Sequence, residues 1–435
     1  MKENRSRILL ENLYIVPMTG ADNNIEQGYI TVEGQFITRV EAGTPPDRAG
    51  FERIIDGRGQ AALPGLVNAH THAAMTLLRS YADDLPLMEW LETRIWPLEA
   101  KLTGEDVYWG TMLGIAEMIK SGTTAFADMY FFMDHTARAV EETGIRACLS
   151  RGMIGVGPES EQALTESREL ITRWDGQADG RIRFWLGPHA PYTCPPDYLE
   201  KVLALANELG VGVHIHLAET RNEFDDIMQQ YGKTPTVMLR DAGVFKYPVL
   251  AAHCVHLTDE DISILADHRV RVVHNPQSNM KLASGIARVP EMLAAGITVA
   301  LGTDGASSNN NLDMVEELRA CSLLHKVNSM NPQVIPAYQA LEMATVNGAR
   351  ALGLEGEVGM LKPGMKADLI LVDLEQPHYY PHHDNVAHLA YAGQSADVDT
   401  VIVDGCILME NRRLTTIDEQ QVKAEVKKVA ACLIE

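Results

Sequence analysis

A (β/α)8 barrel of the TIM type, joined to a small β-sandwich-like domain formed from both termini, is the α/β fold class that the sequence predicts. Three observations predict it. Eight short apolar runs alternate with longer amphipathic stretches through the middle of the 435-residue chain, the pattern of successive βα units. Most of those runs finish on a side chain able to bind a metal or move a proton. The two ends of the chain share a different texture, short strands punctuated by Gly. A doubly wound parallel sheet is the alternative for the middle, but eight units in series is the count of a closed barrel.

The ends supply the smaller domain. Residues 1–60 contain ILLENLYIVP and GYITVEGQFITRVEAG, with apolar residues in near-alternation, and residues 356–435 contain ADLILVDLE and DTVIVDGCILMENRRL. Between them, residues 61–355 form the expected barrel. Its strand candidates are AALPGLVNAH, GTTAFADM, IRACLSRGM, IRFWLGPHA, VGVHIHLAE, PVLAAHCVH, VRVVHNPQS and GITVALGTDG. Helical segments such as EDVYWGTMLGIAEMIKSG and PDYLEKVLALANELG lie between them, the second ending on a Gly suited to a C-cap. The sequence shows no linker and no repeat of solenoid length.

Bulk properties narrow the function. Hydrophobic residues make up 46% of the chain and charged residues 22%, enough for a sizeable core. A formal net charge of −22 argues against nucleic acid or an anionic membrane as partner, since phosphates would be repelled. The opening MKENRSRILLENLYIVP lacks the apolar run and cleavage site of a signal peptide, and no apolar run reaches the ~20 residues that span a bilayer. Cys148, Cys194, Cys254, Cys321, Cys406 and Cys432 have no CxxC spacing. They read as the reduced thiols of a cytoplasmic protein.

The chemistry lies at the strand ends, which carry His70, His72, Asp128, Arg151, His189, His216, His253, His274 and Asp304. In a barrel these ends converge on one mouth. So many equivalent positions are hard to explain as core packing. In an extended segment, side chains at i and i+2 share a face, so His70 and His72 reach one ion together. Taken alone, such a pair also fits two ordinary loop histidines. His216 is the natural third nitrogen ligand; His214 shares its face a layer deeper, as a hydrogen-bonded core histidine or a further ligand. Asp304, otherwise a turn former before Gly, ends the last strand, which lies beside the first in a closed barrel.

Three neutral imidazoles, a carboxylate and a water suit one catalytic Zn2+ per subunit, with Fe2+ or Mn2+ as substitutes. Zinc brings the ionisation of bound water towards pH ~7. Asp304 then takes the water's proton. Glu219, three residues past His216, is placed as the proton shuttle, its alternative being a first-turn carboxylate of the next helix. His253 is placed to hydrogen-bond the incoming oxygen without binding the ion. The fourth strand ends Gly187-Pro188-His189 with no Lys to bridge a second metal, so one ion is expected. The HxE with PCxxC design of one class of zinc enzymes is absent, since the chain has no PCxxC.

PGLVNAHTH, GPHAPYTC, HIHLAET, AAHCVHL, HNPQSNMKL and GTDGASSNNNLD together resemble the amidohydrolase superfamily, and within it the 5-methylthioadenosine/S-adenosylhomocysteine deaminases. The resemblance runs along nearly the whole chain. It implies zinc on His70, His72, His216 and Asp304, and proton transfer from Glu219 to ring nitrogen N1. It also implies His189 on the purine, Glu99 on the ribose hydroxyls, Trp90 as a wall for the sugar and thioether, and Arg151 on a homocysteine carboxylate. A second Arg would share that carboxylate; Arg168 and Arg173 lie in a plausible helix, but their spacing selects neither. The implied reaction is hydrolytic deamination of the adenine ring of 5-methylthioadenosine or S-adenosylhomocysteine, with adenosine and 5′-deoxyadenosine as further candidates. The alternatives are the same machinery on guanine, another aminopurine or an s-triazine, or a non-catalytic barrel scaffold. A small-molecule nucleoside is the expected partner and a homo-oligomer the expected state.

Overall fold

A computed structural model describes residues 6–45 and 47–434. They group into two compact units. One takes the described part of Met1–Val67 with Ala116–Ala125 and Asp313–Asp418; the other takes Asn68–Ile115, Phe126–Leu312 and the described part of Glu419–Glu435.

The first unit contains the β module expected from both termini, as one continuous nine-stranded sheet. Its two halves meet where Leu369–Asp373 pairs antiparallel with Gln60–Pro64, Leu369 opposite Pro64 and Asp373 opposite Gln60. The near-alternation of the first strand, Arg7–Ile15, has a structural cause. Its register against Ile25–Glu33 slips between Leu10 and Leu13, at Asn12, whose φ is 61°. A bulge of this kind inserts one residue and resets the alternation. Ile8, Leu10, Leu13 and Ile15 thereby reach one core with Ile30, Leu369, Leu371 and Ile402.

The second architecture is the expected barrel. Its strands are Leu66–Thr71, Thr123–Tyr130, Arg146–Met153, Ile182–Pro188, Val213–Leu217, Val249–His253, Arg271–His274 and Val299–Leu301, joined in chain order as an eight-stranded sheet. The pairings between neighbouring strands from the third to the eighth are parallel. Nearly every strand residue is buried, as a sheet covered on both faces requires. Helices intervene, among them Gly104–Lys120, Met133–Thr143, Ser160–Trp174 and Pro196–Leu209. The last ends on Gly210 at φ 69°, the anticipated left-handed C-cap.

One strand candidate divides. AALPGLVNAH is shared between the strand Gln60–Pro64 of the terminal sheet and the strand Leu66–Thr71 of the barrel. The break is at Gly65, where a Cβ would stand 2.0 Å from Thr124 Oγ1, so only Gly lets the chain pass.

Side chains help to close the barrel. Asn68 Oδ1 accepts the Thr303 N–H at 3.0 Å, and Asn68 Nδ2 donates to Thr303 Oγ1 at 2.7 Å. The Asp304 N–H donates to the His70 carbonyl at 3.0 Å. A Cβ at Gly302 would lie 2.8 Å from the His70 backbone nitrogen, so the first and eighth strands approach this closely only over Gly. Among the described residues no helix is long and apolar enough to cross a membrane. Cys148, Cys194, Cys254 and Cys321 are buried, Cys406 and Cys432 are exposed, and all six are free.

Candidate active site

Strand ends bring His70, His72, His216 and Asp304 to one point. His72 Nε2 lies 3.3 Å from His216 Nε2 and 3.3 Å from Asp304 Oδ1, and His70 Nε2 lies 3.4 Å from the same oxygen. Ligand atoms held tetrahedrally at ~2.1 Å from one ion stand ~3.4 Å apart. The observed spacings match that value. His70 Nε2 is also a buried nitrogen without a hydrogen-bond partner, which a buried polar atom rarely is. The donor set and spacing together fit a divalent ion. His253 borders the same cluster, since ligand atoms of His70, His253 and Asp304 lie within 4.8 Å of one another.

Outer contacts orient these groups. His72 Nδ1 donates to the Met129 carbonyl at 2.5 Å and His216 Nδ1 to the His189 carbonyl at 2.8 Å, which turns each Nε2 towards the cluster. Asp304 Oδ2 accepts from Ser278 Oγ at 2.6 Å and Ser308 Oγ at 2.8 Å, leaving Oδ1 towards the histidines. His253 Nδ1 meets Asn279 Oδ1 at 2.9 Å. Three strand ends run through left-handed backbone without Gly: Ala218 at φ 50°, His253 at 72° and Asp304 at 62°. Strain of this kind persists only where the surroundings enforce it.

The electrostatics ask for a cation. Burial pushes His70 down to about 4 and His216 well below the ordinary imidazole range. Burial also opposes a charge on Asp304, but its contacts with His70 and His72 outweigh this and keep the carboxyl ionised. On His72 burial is likewise outweighed by Asp304, which raises the imidazole to about 9. One buried carboxylate among imidazoles draws in positive charge, as a proton or as a metal.

A cavity open to solvent lies over the cluster. Trp90, Glu99, His189, Glu219, His253 and Asp304 line it, with apolar walls from Leu87, Trp96, Phe131, Ile154 and Leu282. Burial holds the His189 imidazole neutral, at about 4. Burial also raises the carboxyls of Glu219 and Glu99 above their ordinary range. Glu219 Oε2 stands 3.8 Å from His253 Nε2. Glu219 is not the cap of the following helix, Arg221–Tyr231; Thr220 is, accepting the Glu223 N–H.

Some positions fall elsewhere. Asp128 is buried, accepts the Ala73 N–H at 2.7 Å, and is raised to about 6 by burial; it is not among the lining residues. Arg151 is not among them either. Its Nε and Nη2 meet Glu166 at 3.0 and 2.9 Å, while its neighbours Gly152 and Ile154 reach the cavity. Arg168 and Arg173 pair with Glu208 and Asp134 on the exposed side of their helix. His214 stands behind His70, with Nε2 2.9 Å from His70 Nδ1.

Two residues escaped the sequence reading. Tyr130 lines the cavity and donates to Glu99 Oε1 at 2.7 Å. It lies two residues beyond Asp128, so the i, i+2 rule would have found it. The buried Glu223 accepts the Ala218 and Glu219 N–H groups at 2.9 and 2.8 Å, and so holds the turn that carries Glu219. Its signal was Thr220-x-x-Glu223, the capping-box spacing.

An amidohydrolase family model matches residues 61–408. The chain belongs to the amidohydrolase family. A 5-methylthioadenosine/S-adenosylhomocysteine deaminase of Syntrophomonas wolfei is 62% identical over 429 residues, 98% of this chain and 99% of its own. Among solved structures, an adenosine deaminase from Xanthomonas campestris with bound zinc matches at a TM-score of 0.93 and 36% identity, over 98% of both chains. An atrazine chlorohydrolase from Arthrobacter aurescens complexed with zinc matches at 0.90 and 26% identity, over 97% of this chain and 100% of the other. The chain is thus a hydrolytic enzyme, and a non-catalytic scaffold is set aside. Like these neighbours, the amidohydrolase offers a site for a divalent metal.

Proposed function

We propose that this amidohydrolase deaminates the adenine ring of 5-methylthioadenosine and S-adenosylhomocysteine, using one zinc per subunit held by His70, His72, His216 and Asp304. One observation carries the reading: a cluster of metal-ligand spacing and a second carboxyl, Glu219, raised by burial, share one cavity. The name of the 62%-identical relative supports the substrate class. Fe2+ or Mn2+ are the candidate substitutes for zinc. The same reading makes the enzyme a cytoplasmic homo-oligomer acting on a small-molecule nucleoside.

Bound in the cage, zinc supplies the Lewis acidity that brings the ionisation of water towards pH ~7. Asp304, kept ionised by its histidines, accepts a proton from the attacking water. The water oxygen adds to C6, and Glu219, whose carboxyl burial raises above its ordinary range, delivers a proton to N1 as the ring loses aromaticity. His253, steadied by Asn279, hydrogen-bonds the incoming oxygen. Asp304 then returns its proton to the amino group and ammonia leaves C6. The C6 hydroxyl proton passes to Glu219, which restores the starting state and yields the inosine-type product. His189 hydrogen-bonds the purine, Glu99 takes the ribose hydroxyls with Tyr130 orienting it, and Trp90 walls the thioether side.

The test is Glu219→Gln, followed by loss of adenine absorbance over methylthioadenosine, S-adenosylhomocysteine, adenosine and 5′-deoxyadenosine, with guanine and an s-triazine alongside. The variant should keep its zinc and lose about 10²–10⁴ in kcat. Near-normal turnover would remove Glu219 from the mechanism. Turnover of guanine or the triazine in place of the nucleosides would overturn the substrate class.

A further inference from the structure

Behind His70, polar groups run in single file into the barrel. His70 Nδ1 is 2.9 Å from His214 Nε2, His214 Nδ1 is 3.2 Å from Ser150 Oγ, and Ser150 Oγ is 2.9 Å from the Asp128 carbonyl oxygen. None of His70, His214 and Ser150 is more than 1% exposed, so donors and acceptors must match within the file.

The far end decides the direction. A carbonyl oxygen only accepts, so Ser150 gives it its one hydroxyl hydrogen. Ser150 Oγ is then the acceptor for His214, whose Nδ1 must carry the hydrogen. A neutral imidazole protonated at Nδ1 has a bare Nε2, and that nitrogen accepts the His70 Nδ1–H. His70 is left with its own Nε2 lone pair exposed to the cage, 3.4 Å from Asp304 Oδ1. The rings of His70 and His214 meet edge to face, 5.0 Å apart at 83°, which suits an in-plane N–H to N contact.

We propose that His214 and Ser150 are positioning residues that fix the tautomer and ring plane of His70 for the metal. His72 and His216 each take this setting directly from a backbone carbonyl; His70 takes it through two side chains from the Asp128 carbonyl. A neutral relay adds no charge to the barrel interior, where a second carboxylate would be costly to bury. Asp304 thus remains the one anionic member of the proposed ligand set, and the ion keeps its net positive charge.

The inference rests on the proposed metal site, so zinc affinity of the wild type is measured first, by competition with a chromophoric chelator, with thermal unfolding alongside. His214→Leu should lower zinc affinity about 10–100-fold, while His214→Gln, whose amide oxygen still accepts from His70, should stay within about threefold. Ser150→Ala should fall between them and add nothing to His214→Leu, since the file is already broken. Wild-type affinity in His214→Leu, or equal losses in the Leu and Gln variants at unchanged melting temperature, would overturn the inference and leave the metal site standing. Should His214→Leu fail to fold, a loss in Ser150→Ala with retention in His214→Gln supports the inference, and the reverse overturns it. A wild type that binds no zinc overturns the functional reading itself.

Discussion

Replacing Glu223 with Ala removes the acceptor of two buried N–H groups, those of Ala218 and Glu219. Each orphaned donor costs about 1–3 kcal/mol, so about 2–6 kcal/mol together. Ala218 sits at φ 50°, a left-handed conformation that disfavours an Ala by about 1–2 kcal/mol once nothing enforces it. Against these losses stands the cost of the native carboxyl, which burial raises to about 7 from 4.5, worth about 3 kcal/mol when ionised. The raised value means that Glu223 contributes its stability below the unfolded-state value and loses it as pH rises through about 7. The variant should therefore be clearly less stable than the wild type at pH 5 and closer to it at pH 8. Catalysis responds differently. The turn relaxes and takes Glu219 with it, and a shift near 1 Å at a proton-transfer group lowers kcat/KM about 10²-fold. Zinc content should hold, because no proposed ligand lies in the turn. Urea unfolding at the two pH values, metal analysis and deamination rates make up the assay. Wild-type kcat/KM, or activity lost in step with zinc, would refute the reasoning.

Gly302→Ala places a Cβ 2.8 Å from the His70 backbone nitrogen, and backbone cannot swing aside as a side chain would. Zinc affinity and the unfolding midpoint should fall together; an unchanged midpoint would show that the two strands have room to spare. If Arg151 turns from Glu166 to a homocysteine carboxylate, as the resemblance implies, Arg151→Met should reduce kcat/KM for S-adenosylhomocysteine about 10–100-fold more than for methylthioadenosine, the worth of a charge-assisted hydrogen bond. Equal losses on the two substrates would instead make Arg151 a structural partner of Glu166, its neighbour in the structure.

Much of the barrel could be read from the chain because its chemistry is periodic. Each strand buries an apolar run and ends at the same rim, so the sequence alone groups His70, His72, His216 and Asp304. What stayed hidden depends on turns and distant pairings. The helix registers an Arg151–Glu166 pair 15 residues apart that no motif announces. AALPGLVNAH is apolar on both sides of the turn-forming Pro64-Gly65, and the full division at Gly65 depends on Thr124 packing across the backbone. Tyr130 was masked by Asp128, the more conspicuous group two residues earlier. Thr220 and Glu223 carry a legible helix-start signal, but spacing alone does not reveal that the carboxylate turns back to brace Glu219.

Where Asn68 meets Thr303, the ring of strands is fastened at a clasp. His70 and His72 sit on one lip and Asp304 on the other, so any gaping there pulls the proposed ligands apart. An ion gripped from both sides works as a hasp, and its binding energy resists the very motion that would release it. Withdrawing the ion should therefore quicken deuterium uptake at the Thr303 and Asp304 amides before the rest of the barrel loosens.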